Sequence, residues 1–223
     1  MKKYLLILSL IFLVSCKKTE PVFESNFRFA NAQPINNSEL SKIPNKFLGV
    51  FMNADSTYLN IKFNIILTEK FSKFKIHKTQ KDSLLSEFSF VNDKFISKEN
   101  KQIFDSNIIG DSIELSSKNS DTLFVISKSQ KAKRINGHLI ISQKESFYWT
   151  SKILTLDDDV LKIRQLYSEN DRKRLDSIIT IKSKEVDSAT FLLEPTRPEF
   201  SKILNLKNLG YEQQFIKISK WKT

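Results

Sequence analysis

The sequence predicts a mainly β protein, an antiparallel meander forming a sandwich or barrel, with one C-terminal helix followed by a last strand. Three observations predict it. Apolar residues alternate with period two in short runs, as in Leu84, Ser86, Phe88 and Phe90. Turn formers interrupt the runs every 8–14 residues or so, about the spacing of hairpin-connected strands. Eighteen Phe against four Gly supply large apolar area in a form that suits a pleated surface. At 223 residues the chain fits one domain of ordinary size, and its 40% hydrophobic share is too high for a disordered chain and too low for a polytopic membrane protein.

The first element is an export signal. Residues 1–15 carry Lys2 and Lys3, then an almost wholly apolar stretch from Tyr4 to Val14. A positive start followed by a short apolar core is the secretory pattern, and it is too short to anchor stably as a spanning helix. Leu13-Val14-Ser15-Cys16, which holds the only Cys of the chain, resembles the bacterial lipobox. The resemblance implies cleavage after Ser15, diacylglycerol on the Cys16 sulfur and acylation of the new amine. Lipid on Cys16 would make the membrane a permanent partner. Neither Asp nor an acidic run follows Cys16, and the expected address is the cell envelope, at the outer membrane facing the periplasm. Removal of Lys2 and Lys3 leaves a charge of 11 − 2 = +9. Export excludes intracellular nucleic acid as a partner and leaves anionic lipid or glycan contact for this charge.

Residues 16–41 read as a lipid-anchored tether, with Pro21, Pro34 and the run Asn36-Asn37-Ser38. Phe23, Phe27 and Phe29 alternate within it, the pattern of a short strand that docks on the domain. Residues 42–223 form one β-rich domain. Besides Leu84–Phe90, strands are expected at Ile113–Leu115 and at Leu175, Ser177, Ile179, Ile181. The run Leu123-Phe124-Val125-Ile126 is expected on a strand buried on both faces. The helix is placed after Thr196, which can cap it, with Pro198 and Glu199 in its first turn and Gly210 as its stop. Phe200, Ile203, Leu204 and Leu209 make its apolar stripe, and Gln214–Lys220 is the last strand. A faint echo between Gly49–Ile76 and Gly137–Ile163 allows two related β-units, 43–127 and 135–219.

Two resemblances bear on the fold. Asn45-Lys46-Phe47-Leu48-Gly49-Val50-Phe51 resembles the Gly-x-Trp entry of lipocalin-type barrels, with Phe51 where Trp is expected. The lipobox, the Lys/Asn/Ile-rich chain and the Pro-x-Phe helix before a last strand are together similar to small β-rich lipoproteins of the Bacteroidota. The first implies a ligand-holding barrel; the second implies no activity.

No constellation points to catalysis, metal or a cofactor. His77 and His138 are the only His and have no ligand-spaced companion. Asp157-Asp158-Asp159 lacks the alternate spacing of a calcium loop and reads as a hairpin turn. No nucleophile elbow, zinc-protease or phosphate-loop motif occurs. Lys128, Lys131, Lys133 and Arg134 form the densest basic loop, and Phe147-Tyr148-Trp149 the densest aromatic run. Lys73 and Lys75 are placed on the outer face of a strand whose other face carries Phe74 and Ile76.

Seven of the 12 Asp precede Ser or Thr, where composition (38 Ser plus Thr) predicts about two by base-rate reasoning. Six continue with an apolar residue or Thr, each at the expected mouth of a strand, where Asp can cap a turn. The pattern resembles the O-glycosylation sequon of exported Bacteroidota proteins, which implies Ser56, Ser83, Ser112, Thr122, Ser177 and Ser188 as acceptors.

The functional expectation is a membrane-anchored envelope lipoprotein, a non-enzymatic binding or interaction module. The alternatives are a lipocalin-like carrier of an apolar ligand and an envelope hydrolase with a carboxylate pair. A deep apolar cavity marks the carrier, a polar cleft with paired carboxylates the enzyme.

Overall fold

Fifteen strands hydrogen-bond into one large, mostly antiparallel sheet in a computed structural model that describes residues 26–166 and 168–219. Cys16, the export signal and Phe23 lie outside the described residues. Among those described, no helix is long and apolar enough to cross a membrane.

The chain enters through β1 (Asn26–Phe29), which pairs with later strands rather than with its neighbour in sequence. Phe27 and Phe29 are buried, so the alternation expected of a docked strand is realised at these two positions. Ala32 and Gln33 are buried too, and the Lys133 amine donates to the Ala32 and Pro34 carbonyls at 2.9 and 3.0 Å. The part of the tether from Asn26 to Ser41 is therefore packed on the domain.

A meander of β2 (Gly49–Met52), β3 (Thr57–Ile61) and β4 (Ile65–His77) follows. Gly49 starts it at φ +138°, where an added Cβ would lie 2.6 Å from the Ser219 carbonyl. After α1 (Lys81–Glu87) come β5 (Phe88–Val91), β6 (Lys94–Ser97), β7 (Ile103–Ile109) and the long β8 (Ser112–Val125). β9 (Gln130–Ile135), β10 (His138–Glu145), β11 (Tyr148–Asp157) and β12 (Val160–Gln165) form a second meander. The last elements are α2 (Glu169–Asp176), the hairpin β13 (Lys184–Asp187) and β14 (Thr190–Leu193), α3 (Arg197–Asn205) and β15 (Tyr211–Ser219). β15 bridges the meanders by pairing with β12 and β2, and β1 with β14 is the parallel pair.

The sheet does not close into a barrel. β7 covers only the first part of β8, Ser112–Ser116, and among the described residues no strand pairs with that edge of β8 beyond it. Apolar residues from nine strands nonetheless meet in one core: Phe51, Leu59, Ile61, Ile66, Phe124, Ala132, Leu139, Ile141, Leu154, Leu161, Ile163 and Phe215, with Phe47 and Ile43 from the entry loop. Ile140 and Ile153, one residue out of phase, point the other way into a second core with α2, α3, β1 and β14. The strand buried on both faces is thus Leu139-Ile140-Ile141. In Leu123–Ile126, the run expected to have that place, only Phe124 is fully buried.

A third cluster lies where β4 and β8 extend beyond the main core. Leu84 of α1 covers Phe95, Phe104, Ile113 and Leu115 there, with Phe74, Phe88 and Phe104 in mutual ring contact. On the opposite face of this arm, Lys73 and Lys75 approach the buried Glu114 at 2.7 and 3.5 Å, so the expected basic face is partly neutralised.

Two strands expected from period-two spacing begin in a helix instead. Leu84 and Ser86 belong to α1, and strand begins only at Phe88. Leu175 is the penultimate residue of α2, the stretch from Ser177 to Ile181 is turn, bend and irregular chain, and the Ile179 amide still donates to the Leu175 carbonyl, which places both side chains in the second core. The reason is local: Ser168 and Asp171 form a reciprocal capping box, with acidic residues in the first turn and basic ones in the last. Positions four apart, such as Leu175 and Ile179, share a face in a helix as well as in a strand.

Candidate functional site

The main core is filled by Phe47, Phe51 and Phe124, each at most 1% exposed, so the sheet does not enclose a deep ligand chamber. Space opens at one end of this core. A half-open cavity of about 420 Å³ has the core residues Leu59, Ile163 and Phe215 as its floor. Its walls are Thr57, Thr68, Lys70, Leu123, Lys152 and Gln213, and the β2–β3 turn supplies Asn53 and Asp55. That volume is within the usual range of small-molecule sites.

Strand periodicity delivers these side chains. Lys152 is two residues before Leu154 on β11, and therefore shares the core-facing side. Thr68 stands opposite Leu59, and Lys70 opposite Thr57, along the β3–β4 ladder. Leu123 enters from the end of β8 whose second edge is unpaired. A narrow crevice leads on from the cavity between β8 and the β10–β11 hairpin, with Leu123 and Lys152 common to both.

Lys152 is the chemically distinctive member. Its stem is partly buried beside Ile141, its cross-strand neighbour, and burial pushes its amine below the usual lysine range. The opposing pull comes from Glu145, but that carboxylate is engaged by Arg28 and by the Thr150 hydroxyl. Among the described residues the Lys152 amine has no hydrogen bond or ion pair. By contrast, Asn53 is already spent: its Oδ1 accepts from the Asp55 and Thr57 backbone amides at 3.0 and 2.8 Å. Sequence reading missed this site because Lys152 is one lysine among many. Its only signal was a cation in phase with Leu154 and Leu156.

The expected features occupy other places. His138 Nδ1 lies 2.7 Å from Thr155 Oγ1, and burial, with Arg164 and Lys46 nearby, holds it below its ordinary value. His77 contacts Thr79 at 2.8 Å on the arm. Asp157–Asp159 make the β11–β12 turn, and among the described residues no group of three His, Cys, Asp or Glu is placed to hold a metal. The expected basic loop is mostly strand, with Lys131, Lys133 and Arg134 on β9: Lys133 is buried, Lys131 bonds Glu39 at 2.6 Å, and Arg134 and the preceding Lys128 are exposed. In the aromatic run, Phe147 is 87% exposed at a hairpin tip, whereas Trp149 packs on the second core.

Buried carboxylates are committed to structure. Glu69 pairs with Lys118 at 2.9 Å, and Asp171 accepts from the Ser168 and Gly210 amides. Glu199 accepts from the amide and hydroxyl of both Thr180 and Thr196, which drives its pKa down to about 2.

Of the six hydroxyls with the glycosylation pattern, Ser56, Ser83, Thr122, Ser177 and Ser188 are exposed and Ser112 is half-buried. Only Ser56, Ser112 and Ser188 stand at hairpin turns; Ser83 lies in α1, Ser177 caps the end of α2, and Thr122 is inside β8. Capping by the preceding Asp holds at Asp187, whose carboxylate accepts from the Ala189 amide at 3.0 Å. It does not hold in the β2–β3 turn, where Asn53 rather than Asp55 is the acceptor.

No protein-family model matches the sequence, and neither a curated protein nor a solved structure is similar to it.

Proposed function

We propose that this protein is a lipid-anchored envelope lipoprotein acting as a non-enzymatic binding module, with the cavity beside Lys152 as its binding site. The observation that carries the reading is a half-open cavity of small-molecule size against an otherwise filled core. The Lys152 amine, which has no hydrogen bond or ion pair among the described residues, lines it. The filled interior favours a module that grips part of a ligand over a carrier that swallows an apolar one. Commitment of the buried carboxylates to hydrogen bonds and ion pairs favours binding over hydrolysis. Lipid on Cys16 would restrict the domain to a thin layer at the membrane and raise its effective concentration toward ligands there.

Native mass spectrometry of the protein purified from its own cells tests the site. The wild type is expected to carry a small-molecule adduct, and Leu123→Trp, which fills the cavity, to lose it. An adduct equally present in both proteins would place the ligand elsewhere. The same spectra examine the acceptor hydroxyls. Glycosylation adds sugar mass that Ser56→Ala, Ser177→Ala or Ser188→Ala reduces stepwise, whereas a mass equal to the lipidated polypeptide removes the sugars from the proposal.

The anchor has its own test. Cys16→Ala is expected to shift the protein from the detergent phase to the aqueous phase, or to leave it unprocessed. Partition of the variant like the wild type would contradict lipidation at Cys16.

A further inference from the structure

We infer that the ligand of this cavity is a short amphiphilic acid, its carboxylate or equivalent anion held by Lys152 and its apolar end laid on Leu59, Ile163 and Phe215. The inference rests on the cavity being the binding site. A lysine partly removed from water, with no carboxylate paired to it among the described residues, leaves a favourable position for an external anion. Glu145, whose charge pulls the Lys152 amine the other way, is held by Arg28. Lys70 lines the cavity as a second cation, and Asp55 is the single acidic residue lining it. The floor is apolar and shallow: Leu59 and Phe215 are 2% and 3% exposed and are backed by the filled core. A tail therefore finds apolar contact near the head group and has no deep channel to follow. Thr68 and Gln213 remain on the walls as hydroxyl and amide partners for the anion's other oxygen.

The test uses the full-length lipidated protein in lipid nanodiscs, with titration heats of empty discs subtracted. Octanoate is expected to bind at least tenfold more tightly than octanol, with octyltrimethylammonium weakest. Lys152→Met should cost octanoate tenfold or more while octanol changes little, and Lys152→Arg should restore most of the difference. Asp55→Asn should tighten octanoate, because it removes the like charge. Hexadecanoate should gain nothing over octanoate beyond its partition into empty discs. Circular dichroism melts of the variants confirm that each is folded. Octanol binding as tightly as octanoate, with both lost in Leu123→Trp, would overturn the assignment of an acid and leave the cavity reading intact. Octanoate affinity unchanged in folded Lys152→Met would overturn the role of Lys152. Binding of neither probe would overturn the ligand class, while the adduct comparison with Leu123→Trp decides the cavity separately.

Discussion

Replacing Glu199 with Ala is expected to destabilise the protein by about 3 kcal/mol, because four hydrogen bonds converge on one buried carboxylate. The bond from the Thr196 amide closes the capping box at the start of α3, the Thr196 hydroxyl adds a second bond there, and the two from Thr180 tie the loop after α2 to that helix. The Ala variant leaves the Thr180 and Thr196 groups without their acceptor in a site where Glu199 is only 7% exposed. Glu199→Gln should recover part of the loss, since one of its terminal groups is a donor and faces donors. The same contacts set an acid limit. The carboxyl titrates near 2 in the folded protein against 4.5 when unperturbed. Its contribution is therefore fully present above pH ~4.5 and fades as pH falls toward ~2. Urea unfolding at pH 7 and pH 3 checks both points: the gap between wild type and Glu199→Gln should narrow at the lower pH. An equal gap at the two values would contradict this role for the charge.

Phe51→Ala is expected to cost about 3–5 kcal/mol, the range for deleting a large aromatic side chain from a packed interior. Phe51 is fully buried on β2, in the core to which nine strands contribute. Phe147→Ala, which truncates a ring that is 87% exposed, should stay within about 0.5 kcal/mol of the wild type. Equal effects of the two substitutions in thermal or urea unfolding would mean that the interior is not filled as described.

The β class was legible because period-two burial survives wherever one side of the sheet faces the core. Leu59 and Ile61 on β3, and Leu161 and Ile163 on β12, show it plainly. Sheet closure was not legible. It depends on whether the far edge of β8 finds a partner, which no local pattern encodes. The helices α1 and α2 were hidden by their length, since over seven or eight residues the apolar positions four apart share a face in either structure. For α2 the capping pair Ser168 and Asp171 was the usable signal, the same kind of signal that Thr196 and Glu199 give for α3. The cavity was illegible because its lining is scattered from Asn53 to Phe215 and assembled by pairing among distant strands. Lys152 became distinctive only in the folded chain, where Arg28 pairs with Glu145 and the Lys152 amine has no hydrogen bond among the described residues.

An occupied site beside Lys152 on a filled core is tested most directly by a crystal structure of the protein purified from its own cells. Non-protein density is expected in the cavity within hydrogen-bond distance of Lys152 Nζ, above Leu59 and Phe215, with Phe51 and Phe124 packed behind it. A Lys152 amine turned onto Glu145 over a closed cavity, or a ligand lodged in the interior in place of those rings, would contradict it.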